Sequence, residues 1–213
     1  MDISKAKDIL DYWFSKGRYT ADYDKWFMKS QDYDEEIKEK FGDLLKEAES
    51  GKGFGWLVSK DSYIAHIILL DQFSRHIYRG SGDSFKNDNG CIIFVELGWE
   101  IYKEQLEGYE FMFAFMPYMH TENMAYQKKG LLNFDRHKEL YKQYPNESET
   151  IRPLTPPIHV SYMINLNEVT NYDKEYAMLK SMEPHVTGHH TTMRMFGRFP
   201  KRNKVLGRET TIQ

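Results

Sequence analysis

Apolar residues recur along this chain at helical spacing rather than in the alternation of half-buried strands. Ile9, Leu10, Trp13 and Phe14 mark one face of a first segment that Ser4 can cap and Gly17 can end, which predicts a helix to about Ser15. Tyr23, Trp26 and Phe27 follow on a short segment. Ile37, Phe41, Leu44, Leu45 and Ala48 form the single stripe of a second helix. Asp32 or Asp34 opens it, where the helix dipole favours acids, and Gly51, Gly53 and Gly55 break it.

A third helix begins at Asp61 or Ser62, buries Ile64, Ile67, Ile68 and Leu70, and continues through Asp71 to Arg79 before Gly80 stops it. After the Gly80-Ser81-Gly82 turn, Asp83 or Ser84 restarts a helix. The stretch from Cys91 to Leu106 is apolar almost all round, so a central position is expected, with Gly108 as its end. Phe111 to Met116 is a continuous apolar run that periodicity alone cannot assign. It reads as helix because nothing else in the chain supplies strand partners. Pro117 stands near a new helix start, and Thr121-Glu122 opens a long helix ending near Tyr144. Residues 145–157, with Pro145, Pro153, Pro156 and Pro157, read as a loop insertion that could face a partner. Helices are expected from Ile158 to Leu166 and from Lys174 to Glu183. Pro184 then interrupts, and His185 to Met195 leads into an arginine-rich segment. Seven to eight helices joined by short loops predict an all-α fold in a single α-helical domain over residues 1–213.

Composition narrows the class. The chain has 213 residues, with 29 basic and 32 acidic side chains and a net charge of −3. That balance argues against a general nucleic-acid binder. Lone Cys91 excludes an internal disulfide framework and suggests a reducing compartment. No long apolar run predicts a membrane span, and the N-terminal residues lack the pattern of a signal peptide, so a soluble, cytoplasmic protein with no membrane partner is expected.

Three polar constellations stand out. On the third helix Asp71, Arg75 and Arg79 are spaced to form one polar line, either a solvated ion-pair stripe or an Asp that aims an Arg into a pocket. Around Pro117, His120 precedes Glu122 and Gln127. Glu122 has a structural explanation near a helix N-terminus, while His120 beside a carboxylate makes a candidate acid–base pair. His-x-Glu is too short a spacing to specify a metal site, and no metal or other cofactor is assigned. At the C-terminal end His189 precedes Arg194, Arg198, Arg202 and Arg208, interleaved with Phe196, Phe199, Gly197, Pro200 and Gly207. Arginine forks suit carboxylate or phosphate, whether in a ligand or in the chain's own Asp71, Glu122 and Glu209. No nucleophile elbow, phosphate-binding glycine loop, zinc motif or dinucleotide fingerprint is present.

Together these segments resemble domain-of-unknown-function family 924. Leu70-Asp71-Gln72-Phe73-Ser74-Arg75 with Arg79-Gly80, Met116-Pro117 through His120-x-Glu122 and Gln127, and Phe196-Gly197-Arg198-Phe199-Pro200-Lys201-Arg202-Asn203 with Leu206-Gly207-Arg208-Glu209 carry the resemblance. It implies antiparallel helix pairs similar to tetratricopeptide-repeat proteins, without that repeat's signature, and implies no activity. His76 stands where the motif has Asn, and Lys201 where it has His.

The expectation is therefore a polar pocket at which the three motifs converge. Asp71, His120, Glu122 and His189 are candidates for acid–base or orienting roles. Arg75, Arg79, Gln127, Arg198, Arg202, Asn203 and Arg208 are candidates for holding a small phosphate or carboxylate compound, with hydrolase- or transferase-like chemistry. The alternative is a helical scaffold for a protein partner, with the same residues as an internal ion-pair network.

Overall fold

A computed structural model describes residues 1–142 and 166–210, and among them all regular structure is helical. The expected loop at 145–157 and nearly all of the expected helix at 158–166 lie outside the described residues. The elements are α1 (Lys5–Trp13), α2 (Tyr23–Phe27), α3 (Gln31–Glu49), α4 (Lys60–Ile67), α5 (Ser74–Ile77), α6 (Asp88–Tyr102), α7 (Tyr109–His120), α8 (Met124–Lys142) and α9 (Leu166–Phe196). Short 3-10 turns occupy Lys52–Val58, Gly82–Phe85 and Pro200–Arg202, and one π-helical turn, Ile68–Phe73, joins α4 to α5.

The core forms where aromatic residues of separate elements interlock. The Trp13 ring of α1 lies 5.4 Å from both Phe73 and Phe113, edge-on in each case, and Trp26 of α2 lies 5.0 Å from Phe113. Edge-to-face pairs of this kind add to the burial of large apolar rings. On this framework α1 packs against α4, α3 against the π turn and α5, and α8 against α9, while α7 touches α6, α8 and α9. Nothing in this packing conflicts with the expected pairwise arrangement of helices.

Several helix ends differ from the sequence reading. Ser30 and Ser59, rather than Asp32 or Asp34 and Asp61 or Ser62, cap α3 and α4, their hydroxyls accepting from the amides of Tyr33 at 3.4 Å and Ser62 at 3.2 Å. Pro117 does not start a helix. It lies inside α7, which includes the ambiguous Phe111–Met116 run. Thr121 has extended backbone and terminates α7, so the next helix begins at Met124, after Asn123 accepts from the Ala125 amide at 2.9 Å. Pro184 does not interrupt α9 either, which continues to Phe196. An internal proline costs roughly 3 kcal/mol of helix stability. Here Met178, Leu179, Met182, Val186 and Met193 stay buried on both sides of it, and that packing outweighs the local penalty. The stretch Cys91–Leu106, apolar almost all round, is expected to lie centrally, yet on α6 Ile93, Leu97 and Ile101 are exposed.

A buried charge network at the candidate site

The π-helical turn places Asp71 at the centre of the site. Widening the helix by one residue per turn shifts which side chains share a face, and Asp71, Gln72 and Phe73 are all buried here. Asp71 is 0 % exposed. Its Oδ1 lies 3.1 Å from Arg75 Nη1 and 2.7 Å from His120 Nδ1, and its Oδ2 accepts from Gln72. Burial alone would raise this carboxyl's pKa. Arg75, followed by His120 and Gln72, instead holds it at about 2.

The three sequence motifs do meet. Arg75 bonds Asp88 at 2.9 Å, and Asp88 also accepts from Arg202 at 2.7 Å. The Arg202 guanidinium stacks between the rings of Phe85 and Phe199, 4.2 and 4.6 Å from their centroids, and donates to the His120 carbonyl at 2.9 Å. Glu122 accepts from the Phe199 amide at 2.7 Å and from both terminal nitrogens of Arg208 at 2.6 and 3.0 Å. The carboxylates of Asp71, Asp88 and Glu122 thus face the guanidiniums of Arg75, Arg202 and Arg208. Within this set the three positive charges are balanced by three negative ones.

Asp88 was missed by the sequence reading. As the first residue of α6 it has the look of an ordinary dipole-favoured acid, and only the tertiary fold reveals that it bridges two arginines. Of the expected site residues, Asp71, Arg75, His120, Glu122, His189, Arg202, Asn203 and Arg208 come together. Arg79 does not: α5 ends at Ile77, and Arg79 turns away to Asp34, which also bonds His76. Arg198 is held by the Glu209 carbonyl at 3.0 Å on the exposed rim. Gln127 donates to the carbonyls of Met119 and Thr121 at 2.8 and 3.0 Å, satisfying the end of α7.

The His120 ring carries the most specific chemistry. An ionised carboxylate can only accept, so the bond to Asp71 fixes the proton on Nδ1 and leaves a lone pair on Nε2. Nε2 has no partner among the described residues, and the side chain keeps 12 % of its surface exposed. Burial and then Arg75 lower the His120 pKa to about 4, against the opposing pull of Asp71. The His189 ring stands 6.0 Å away, edge-on, with its Nδ1 2.8 Å from the His185 carbonyl. Its pKa is lowered by burial, with Lys201 and Arg202 adding to the effect. Lys201 is exposed and has no carboxylate partner among the described residues, and partial desolvation together with Arg202 and Arg75 lowers its pKa. Arg202 Nε, Arg208 Nε, Thr121 Oγ1 and both amide atoms of Asn203 are buried with no hydrogen-bond partner among the described residues. An open cleft of about 650 Å³ flanks the network, with Phe85, Val205 and Leu206 as its apolar wall and Asp83, Lys86, Asp88, Glu122 and Arg202 among its charged lining. Among the described residues no three His, Cys, Asp or Glu side chains group as a metal site, and no helix is long and apolar enough to cross a membrane.

Comparison with known proteins agrees with the fold. A solved structure of a protein of unknown function from Agrobacterium tumefaciens superposes with a TM-score of 0.68 at 25% identity, covering 98% of this chain and 93% of that one. No curated protein matches. The profile of the family described as "Bacterial protein of unknown function (DUF924)" matches residues 9–213, nearly the whole chain, and the chain belongs to that family.

Proposed function

We propose that the chain handles a small phosphate or carboxylate compound at the Asp71–His120 pair, in a hydrolase- or transferase-like role. The observation that carries this reading is the His120 ring. Asp71 holds it by Nδ1 at 2.7 Å, its Nε2 has no partner among the described residues, and the His189 ring stands 6.0 Å from it, centroid to centroid. A buried carboxylate that fixes one imidazole nitrogen so that the other can accept a proton is the arrangement of a general base. Lys201 supplies a cation that has no carboxylate partner among the described residues, so the ligand's negative charge belongs on that side of the network.

A second reading rests on the pairing of Asp71, Asp88 and Glu122 with the equal number of arginines Arg75, Arg202 and Arg208. In it the network locks the segment after α9 onto α7, and the protein is a scaffold for a protein partner. Buried ion pairs are weak evidence for stability by themselves, which favours the first reading. A thermal-shift series with phosphomonoesters, inorganic phosphate and carboxylates separates the two. At about 100 times its dissociation constant a ligand adds roughly 2.7 kcal/mol, a rise on the order of 5–10 °C for a chain of this length. The site reading expects such a rise in the wild type and its loss in His120→Gln and Lys201→Gln. Silence across the panel, with His120→Gln merely less stable, would leave the scaffold.

A further inference from the structure

Helix α6 carries an apolar stripe that the described fold leaves uncovered. Ile93, Leu97 and Ile101 follow one another at four-residue spacing and are 49%, 50% and 58% exposed, while Phe94, Gly98 and Tyr102 beside them face inward. The Lys52–Val58 turn packs along that inward edge. Phe54 stands 6.4 Å from the Phe94 ring, and the Tyr102 hydroxyl donates to the Leu57 carbonyl at 2.6 Å. Phe54 and Val58, 57% and 70% exposed, therefore extend the stripe sideways. Together these side chains present on the order of 500 Å² of apolar surface, the size of the largest patch on an ordinary monomer. Glu96, paired with Lys129, and Glu100, paired with Lys103, form its polar border.

We propose that this face is a two-fold interface between two copies of this chain, with Leu97 on the axis. The stripe is the same read in either direction from Leu97, with isoleucine on both sides. A two-fold axis through Leu97 therefore sets Ile93 of one copy against the partner's Ile101, and each copy offers the surface that the other needs. Ridges of residues four apart interdigitate when helices cross at about −50°, and the angle opens wedges beside the crossing that Phe54 and Val58 can fill. Two such faces bury roughly 1,000 Å² before any rim contact is added, the level a specific interface must reach. A partner of another kind would not call for the inversion symmetry of the stripe.

Sedimentation equilibrium on the full chain at micromolar concentration tests this. A dimer is expected. Leu97→Glu puts two carboxylates together on the axis and should weaken dimerisation at least tenfold, with helical circular dichroism unchanged because position 97 is exposed in the folded chain. Ile93→Glu and Ile101→Lys should each dissociate the dimer. Combined in one chain they should restore it, because the axis sets position 93 against position 101 of the other copy. A monomeric wild type, a dimer indifferent to Leu97→Glu, or a double variant as dissociated as either single one would overturn the proposal.

Discussion

Asp71 and His120 come from different helical segments, yet Asp71 Oδ1 and His120 Nδ1 lie 2.7 Å apart at the centre of the charge network. The consequence is a fixed tautomer. Because Asp71 stays ionised far below neutral pH, the His120 proton has one place to sit, and because Arg75 and burial oppose a second proton, the ring is neutral at pH 7. Nitrogen-15 NMR of the imidazoles should find His120 as the Nδ1–H tautomer, without protonation until the pH approaches 4. Titration near the ordinary value of about 6.5, or a proton on Nε2, would contradict this geometry.

Asp88 bridges Arg75 and Arg202, with its side chain 7 % exposed. Removing one partner of a buried pair leaves the other charge uncompensated, and two guanidiniums would be left here. Asp88→Ala should destabilise the protein by roughly 3–5 kcal/mol, a fall in melting temperature on the order of 10 °C. Asp11→Ala, which breaks the exposed pair with Lys7 on α1, should cause no measurable change. Equal effects at the two positions would remove the case for a buried network.

The sequence exposes some of these relations better than others. Apolar periodicity located most of the helices because burial repeats with the helical turn, and the motif residues at positions 71, 75, 120, 122, 202 and 208 were readable as a charged set. Two features were not readable. The π turn at Ile68–Phe73 leaves no mark in the apolar spacing, and α5 ends at Ile77, so Arg79 leaves the face that Asp71 and Arg75 still share. Asp88 was hidden because an acid at a helix start has a sufficient local reason to be there. The prolines erred in the other direction. Pro117 and Pro184 are strong local breakers, but α7 and α9 bury enough apolar surface to run through them.

Two glycines of α6 should respond to alanine with opposite signs. A Cβ at Gly98 would land on the ring of Tyr63, which is fully buried and donates its hydroxyl to the Val95 carbonyl at 2.9 Å. Such overpacking costs about 1–3 kcal/mol. Gly90, in the first turns of the same helix, has open space around its missing Cβ. Alanine there should stabilise by about 0.4–1 kcal/mol through lost freedom in the unfolded chain. Urea denaturation of both variants checks the pair, and a destabilised Gly90→Ala would place that backbone outside ordinary helical geometry.

Stability should also pass through a maximum near neutral pH, because two sets of buried groups act in opposite directions. Burial lowers the pKa of His66 and His120 to about 4 and of His137 to about 3. In the unfolded chain they titrate near 6.5, so the unfolded state gains protons first, and stability is lost as pH falls from about 6.5 through 4. Glu175 does the reverse. It is buried between α9 and the start of α7, with Oε1 bonded to the Gly108 amide and Oε2 without a partner among the described residues. Burial first, then Glu107 and Glu110, raises its pKa to about 7, even though the Gly108 amide favours the charged form. The folded state keeps a proton that the unfolded chain has released by about pH 4.5, so this contribution is lost as pH rises from 4.5 through 7. Glu175→Gln abolishes that loss. Its stability relative to wild type should therefore climb as pH is raised from 5 to 8, read as the difference between urea midpoints. A difference that stays flat across this range would mean that Glu175 is ionised in the folded protein throughout, with its charge met by a group other than the Gly108 amide.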